Sequence, residues 1–145
     1  MATAGDGDGN WTHSQWHDEF TSESVRVLSV PALRPAQKEY RAVTPVLHVR
    51  ATGSKLEIFV NCDTYLGMGE VMVDWATDQT GLTTQSLKVS KEGKSFFFNY
   101  PEDVLGKLKG AKFLKVRVRP SFTGNTSATF DLSGLSQALS SARNR

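Results

Sequence analysis

A single cysteine, Cys62, stands in the 145-residue chain. An internal disulfide is excluded, and a thiolate metal cluster is left without ligands. No apolar run approaches the ~20 residues that a helical membrane span needs. The stretch Ala4-Gly5-Asp6-Gly7-Asp8-Gly9 has neither the basic region nor the apolar core of a signal peptide. The expectation is a protein used in the cytoplasm or in a virion, or one whose export leader has been removed.

Catalytic signatures are missing too. The chain has no Gly-x-Ser-x-Gly elbow and no His-Glu-x-x-His pair. His13 and His17 would share a face if their stretch were helical, but no third ligand accompanies them. Asp6, Asp8 and Asn10 begin as a calcium loop does; Trp11 then stands where the sharp turn wants glycine, and His17 where a bidentate carboxylate belongs. Cys62 follows the strand expected to pair with that of His48, and a buried structural thiol suits it better than a nucleophile. Asp74 and Asp78 fall on and beyond a strand end and read as solvated charge. The chain is thus expected to have no catalytic residue, no metal ligand set and no cofactor, and not to be an enzyme.

What the chain does have is strand-forming material. Hydrophobic residues make up 39% and charged residues 22%, and eight phenylalanines favour sheets packed face to face over a helical bundle. The length suits one domain able to bury roughly two-thirds of its unfolded surface. Residues 1 to 10, rich in glycine and aspartate, are expected to be a flexible tail. Residues 11 to 145 form the domain, with Trp11, Trp16 and Phe20 as its first apolar anchors.

Period-2 alternation marks the strands. Ser24 to Pro31 is a first strand. Gln37 to Val43 shows little preference for any state. Pro45 to Ala51 and Lys55 to Asn61 flank Thr52-Gly53-Ser54 as a hairpin, with Phe59 adding apolar surface to its outer face. Glu70 to Ala76 alternates through Val71, Val73 and Trp75, and Leu82 to Val89 and Lys94 to Tyr100 form another hairpin across Ser90-Lys91-Glu92-Gly93. Pro101 with Glu102 and Asp103 opens a short helix. Phe113 to Arg119 alternates Leu114, Val116 and Val118 with Lys115, Arg117 and Arg119. Ala128 to Leu132 can pair with it, and Leu135, Ala138, Leu139 and Ala142 follow at helical spacing. About eight strands and two short helices, one of them C-terminal, predict a mainly β protein: an antiparallel β-sandwich or small barrel.

Charge is divided along the chain. Residues 1 to 80 carry eleven acids against six bases, a net of −5, and residues 81 to 145 carry eleven bases against four acids, a net of +7. The halves can pair internally, stack between copies, or offer the basic half to an anionic partner. The basic set includes Lys94, Lys112, Lys115, Arg117 and Arg119, and the last three line one strand face as a candidate interaction surface. A protein contact or self-assembly ranks above nucleic acid, since aromatic interleaving near this set is limited to Phe113 and Phe122.

Several segments together carry a resemblance. Pro45-Val46-Leu47-His48-Val49-Arg50, Leu56-Glu57-Ile58-Phe59-Val60-Asn61, Thr64-Tyr65-Leu66-Gly67, Lys94-Ser95-Phe96-Phe97-Phe98 and the closing Ala128-Thr129-Phe130-Asp131-Leu132-Ser133-Gly134-Leu135 follow one another in order. Over residues 20 to 143 the chain resembles the VasI family of type VI secretion-associated proteins and, more loosely, the invasion-associated locus B proteins. Family members typically carry an export signal, and many have a cysteine where Ala51 stands here. The resemblance implies a compact β-sandwich-like accessory protein without known catalytic residues, acting through protein contacts. A structural subunit of a phage virion, a head-decoration or tail protein assembling through charge-split surfaces, is the alternative.

Overall fold

Alternating apolar and polar residues make most of the chain strand. The computed structural model describes residues 9–38 and 41–143. Most of the expected tail, with Asp6 and Asp8, lies outside them, as does the Ala142 side chain. In order, the elements are β1 (Thr12–His17), β2 (Ser24–Pro31), β3 (Ala36–Lys38), β4 (Arg41–Val43), β5 (Val46–Thr52), β6 (Lys55–Asn61), β7 (Glu70–Thr77), β8 (Thr83–Val89), β9 (Ser95–Phe97), α1 (Pro101–Lys109), β10 (Phe113–Arg119), β11 (Thr126–Asp131) and α2 (Leu135–Arg143).

Nine strands form one antiparallel sheet in the order β1-β2-β5-β6-β9-β8-β7-β10-β11, and β3 and β4 pair separately. The hairpin at residues 52–55 forms as expected, with Thr52 opposite Lys55 and Gly53 at φ +57°, a conformation that favours glycine. β9 is three residues long and joins β6 to β8, so the sheet divides there into two groups of four strands. Far apart in the strand order, the segment after β2 and the strand β11 come together in space. The Leu33 N–H donates to the Thr129 carbonyl at 2.9 Å. One hydrogen bond is not a ladder, so the sheet stays open and sandwich-like, and the closed barrel is not formed.

The inner faces meet in one apolar core. Leu47, Ile58, Val60, Val73, Leu87, Phe96, Leu114, Val118 and Phe130 are all fully buried, each such side chain contributing about 1.5–3 kcal/mol of hydrophobic stabilisation. α1 begins with Pro101 and has Glu102 and Asp103 in its first turn and Lys107 and Lys109 in its last, matching the helix dipole. It buries Val104 and Leu108, while α2 buries Leu135 and Ala138, and the two helices touch.

Four expectations are corrected. β1 is a strand although Thr12 to His17 show no apolar alternation that would announce one. His13 and His17 therefore lie ~13 Å apart along extended backbone, too far to share a metal ion. Trp11 is a buried anchor, but Trp16 and Phe20 are not: Trp16 points to the outer face of β1 and Phe20 stands fully exposed in the β1–β2 loop. The stretch without clear preference forms the β3–β4 hairpin, fastened where the buried Lys38 ammonium donates to the Gly124 carbonyl. The strand expected to run to Tyr100 stops at Phe97, because Tyr100 takes φ +53° to lead into α1.

Candidate functional site

Lys115, Arg117 and Arg119 leave alternate positions of β10, while Leu114, Val116 and Val118 enter the core. The cationic row on the outer face forms as the alternation predicts. Its neighbour β7 supplies a partner that the sequence did not reveal. Asp74 sits directly across from Arg117 and is 4% exposed. Its Oδ2 accepts from Arg117 Nε at 2.8 Å and lies 2.7 Å from Arg117 Nη2. Its Oδ1 accepts from Arg119 Nη2 at 3.0 Å and from the Thr84 hydroxyl at 2.8 Å. The Thr84 hydrogen bond, with the two arginines, lowers the Asp74 pKa to about 2. The solvated charge expected at Asp74 is instead a clasp between β7, β8 and β10.

Asp78 is exposed, as a solvated charge should be, but its carboxylate is also held by backbone donors. Its Oδ1 accepts the Phe113 N–H at 2.9 Å and the Lys112 N–H at 2.7 Å, and these hydrogen bonds, with that from the Gln79 side chain, lower its pKa to about 2. The carboxylate fixes where β10 starts.

The five expected interaction residues do not form one patch. Lys115, Arg117 and Arg119 stand in line. Lys112 precedes β10 at the end remote from Arg119. Lys94 lies in the β8–β9 turn, with β8 and β7 between it and β10. What gathers around Lys115 is different: a groove of about 610 Å³ across the outer faces of β7, β10 and β11. Lys115, Arg117 and Thr129 line it from the sheet, Leu33 and Arg34 from beyond β11, and Leu82 from the β8 side. Leu33 and Leu82 are 52% and 69% exposed. Arg117 is partly neutralised by Asp74, but Lys115 and Arg34 make no ion pair among the described residues. Sequence reading missed Arg34 and Leu33. Their signal was an exposed leucine–arginine pair between Pro31 and Pro35, a connection held by its ends.

A second outer-face feature runs across the other group of strands. Ser29, His48, Phe59, Phe97 and Lys88 occupy directly paired positions on β2, β5, β6, β9 and β8. The rings of His48 and Phe59 stack at 4.9 Å, those of Phe59 and Phe97 lie at 5.0 Å, and the Arg50 guanidinium covers Phe59 at 4.7 Å. Glu57 holds Arg50 in place through Nη2 at 2.7 Å. The His48 pKa is lowered by burial and by the Arg50 charge, and its Nδ1 lies 2.7 Å from the Ser29 hydroxyl. This row is cross-strand packing of the kind that stabilises sheets.

Cys62 points into the core and His48 outward, so the proximity considered for a thiol–imidazole pair does not arise. Burial raises the Cys62 pKa to about 12, which leaves the thiol unionised and inert. Among the described residues no three His, Cys, Asp or Glu side chains gather as a metal site would require, and no helix is long and apolar enough to cross a membrane.

No protein-family description matches the chain, and no curated protein does. A solved structure does: invasion associated protein B from Bartonella henselae shares the fold at a TM-score of 0.59, with 14% identity over 92% of this chain and 90% of that one.

Proposed function

We propose that the protein is a non-catalytic interaction domain, an accessory protein of the VasI-like kind, whose outer-face groove takes an anionic, partly apolar segment of a partner protein. The observation that carries this reading is the pairing in one groove of two uncompensated cations, Lys115 and Arg34, with two exposed leucines, Leu33 and Leu82. Cations fix the approach and sign of a partner, and desolvated apolar contacts supply most of the affinity. Nothing in the groove supplies a nucleophile with a base beside it, so recognition is the chemistry it suits. The fold shared with invasion associated protein B accords with the reading.

A labelled peptide alternating glutamate and leucine tests it by fluorescence anisotropy at low and high salt. Binding should weaken as salt rises and should be lost in the double variant Arg34→Glu, Lys115→Glu. No binding to the peptide, or equal binding to a single-stranded oligonucleotide, would overturn it. A structural subunit of a virion or other assembly is the second reading, and it draws on a separate feature, the open edge of β1.

A further inference from the structure

The sheet ends differently on its two sides. At the β11 end, the segment after β2 lies against the last strand through the Leu33 N–H and the Thr129 carbonyl, with β3 alongside. At the β1 end, no strand pairs with the outer edge among the described residues. An exposed edge presents backbone N–H and C=O groups to any incoming strand, and natural edges are guarded by lysine, proline, a bulge or extreme shortness. β1 has none of these guards. Its residues Thr12-His13-Ser14-Gln15-Trp16-His17 pair with β2 at six consecutive positions and include no lysine, proline or carboxylate. Two large apolar side chains stand at the same edge: Trp16, 51% exposed, and Phe20, 99% exposed in the loop that follows.

We propose that β1 is a self-association edge whose occupant is β1 of a second copy, added antiparallel about a two-fold axis. Two arguments favour a second copy over a foreign strand. β1 has no acidic, lysine or arginine side chain that would select a partner of opposite sign or repel its own kind. Its alternation also fits itself. An axis through Ser14, normal to the sheet, keeps the outer faces of both copies on one side, because directly paired residues share a face. Trp16 of each copy then packs across from Thr12 of the other, and His13 lies opposite Gln15. The next register that matches the faces, with its axis at Gln15, sets His13 against His17 twice over and leaves Trp16 opposite Ser14. The first register gives the tryptophan the larger partner and keeps the imidazoles apart.

Light scattering over a range of concentrations tests this on the full chain and on Ser14→Lys and Ser14→Glu. Ser14 is exposed, so at concentrations where all three proteins are monomeric both variants should melt where the unaltered chain does. The unaltered chain should approach the mass of two chains as concentration rises, at low and high salt alike. Each variant puts like charges face to face at the axis and should weaken association at least about tenfold. Mixing the two variants should restore a dimer. A monomer at every concentration, or a dimer that neither variant weakens, overturns the proposal. So does a dimer that high salt dissolves and Lys115→Glu abolishes, because that outcome assigns association to opposite charges on other faces.

Discussion

Nη2 of Arg117 lies 2.7 Å from Oδ2 of Asp74, across the β7–β10 pair. This contact joins the acidic first half of the sequence to its basic second half inside one molecule. The same carboxylate also engages Arg119, so two of the three cations in the β10 row are committed internally. Lys115 is the one left to act outward.

Asp74→Asn should therefore move two quantities in opposite directions. Removing the charge leaves Arg117 and Arg119 uncompensated, so the thermal midpoint falls. The freed arginines should tighten binding of the glutamate–leucine peptide by up to about tenfold at low salt. A variant that loses both stability and binding would show that the clasp shapes the groove and does not merely tax its charge.

Acid should weaken the fold over a defined window. Asp74 and Asp78 have ordinary values of 3.8 and folded values of about 2. A carboxyl group whose folded pKa is depressed stabilises fully above its unfolded value and loses that contribution as pH falls through the folded one. The thermal midpoint should hold down to about pH 4 and then drop steeply toward pH 2. Asp78→Asn should start lower at neutral pH and fall less over the window, and parallel curves for the two proteins would contradict this.

Gly93 has little freedom to change. It turns at φ +77°, and a Cβ there would stand 2.5 Å from Cε1 of Tyr65 and 3.0 Å from the Gly67 carbonyl oxygen. Gly93→Ala should cost about 1–2 kcal/mol from the left-handed backbone alone, with the Tyr65 clash in addition. Adding Tyr65→Ala should relieve the clash and leave the backbone cost, as chemical denaturation of Gly93→Ala, Tyr65→Ala and the double variant would show.

Much of the fold was legible because its strands alternate cleanly. β6 and β10 each carry a strict apolar face, and Gly53 and Gly93 announced their turns. β1 was not legible, since Thr12 to His17 bury little and an edge strand needs no apolar face. β3 and β4 escaped for a different reason: Lys38 and the Gly124 carbonyl, far apart in sequence, hold them in place. Of the candidate site, the β10 row could be read from period alone. The groove could not, because Arg34 and Leu82 reach it only when segments beyond β11 and before β8 fold beside it. Asp74 looked like solvated charge because its arginine partners lie 43 and 45 residues away.

The three residues of β9 set how the molecule can come apart. Strands β1, β2, β5 and β6 are continuous in sequence up to Asn61 except for the small β3–β4 hairpin, and β7, β8, β10 and β11 all follow Gly69. Each group of four closes its ladders within its own stretch of chain, and β9 alone carries the ladder from one to the other. The protein is therefore two sequence-local groups of strands joined in the ladder by a short seam, with the shared core holding both. Phe96 of that seam is itself fully buried in the core, so parting the groups would expose apolar surface on both inner faces.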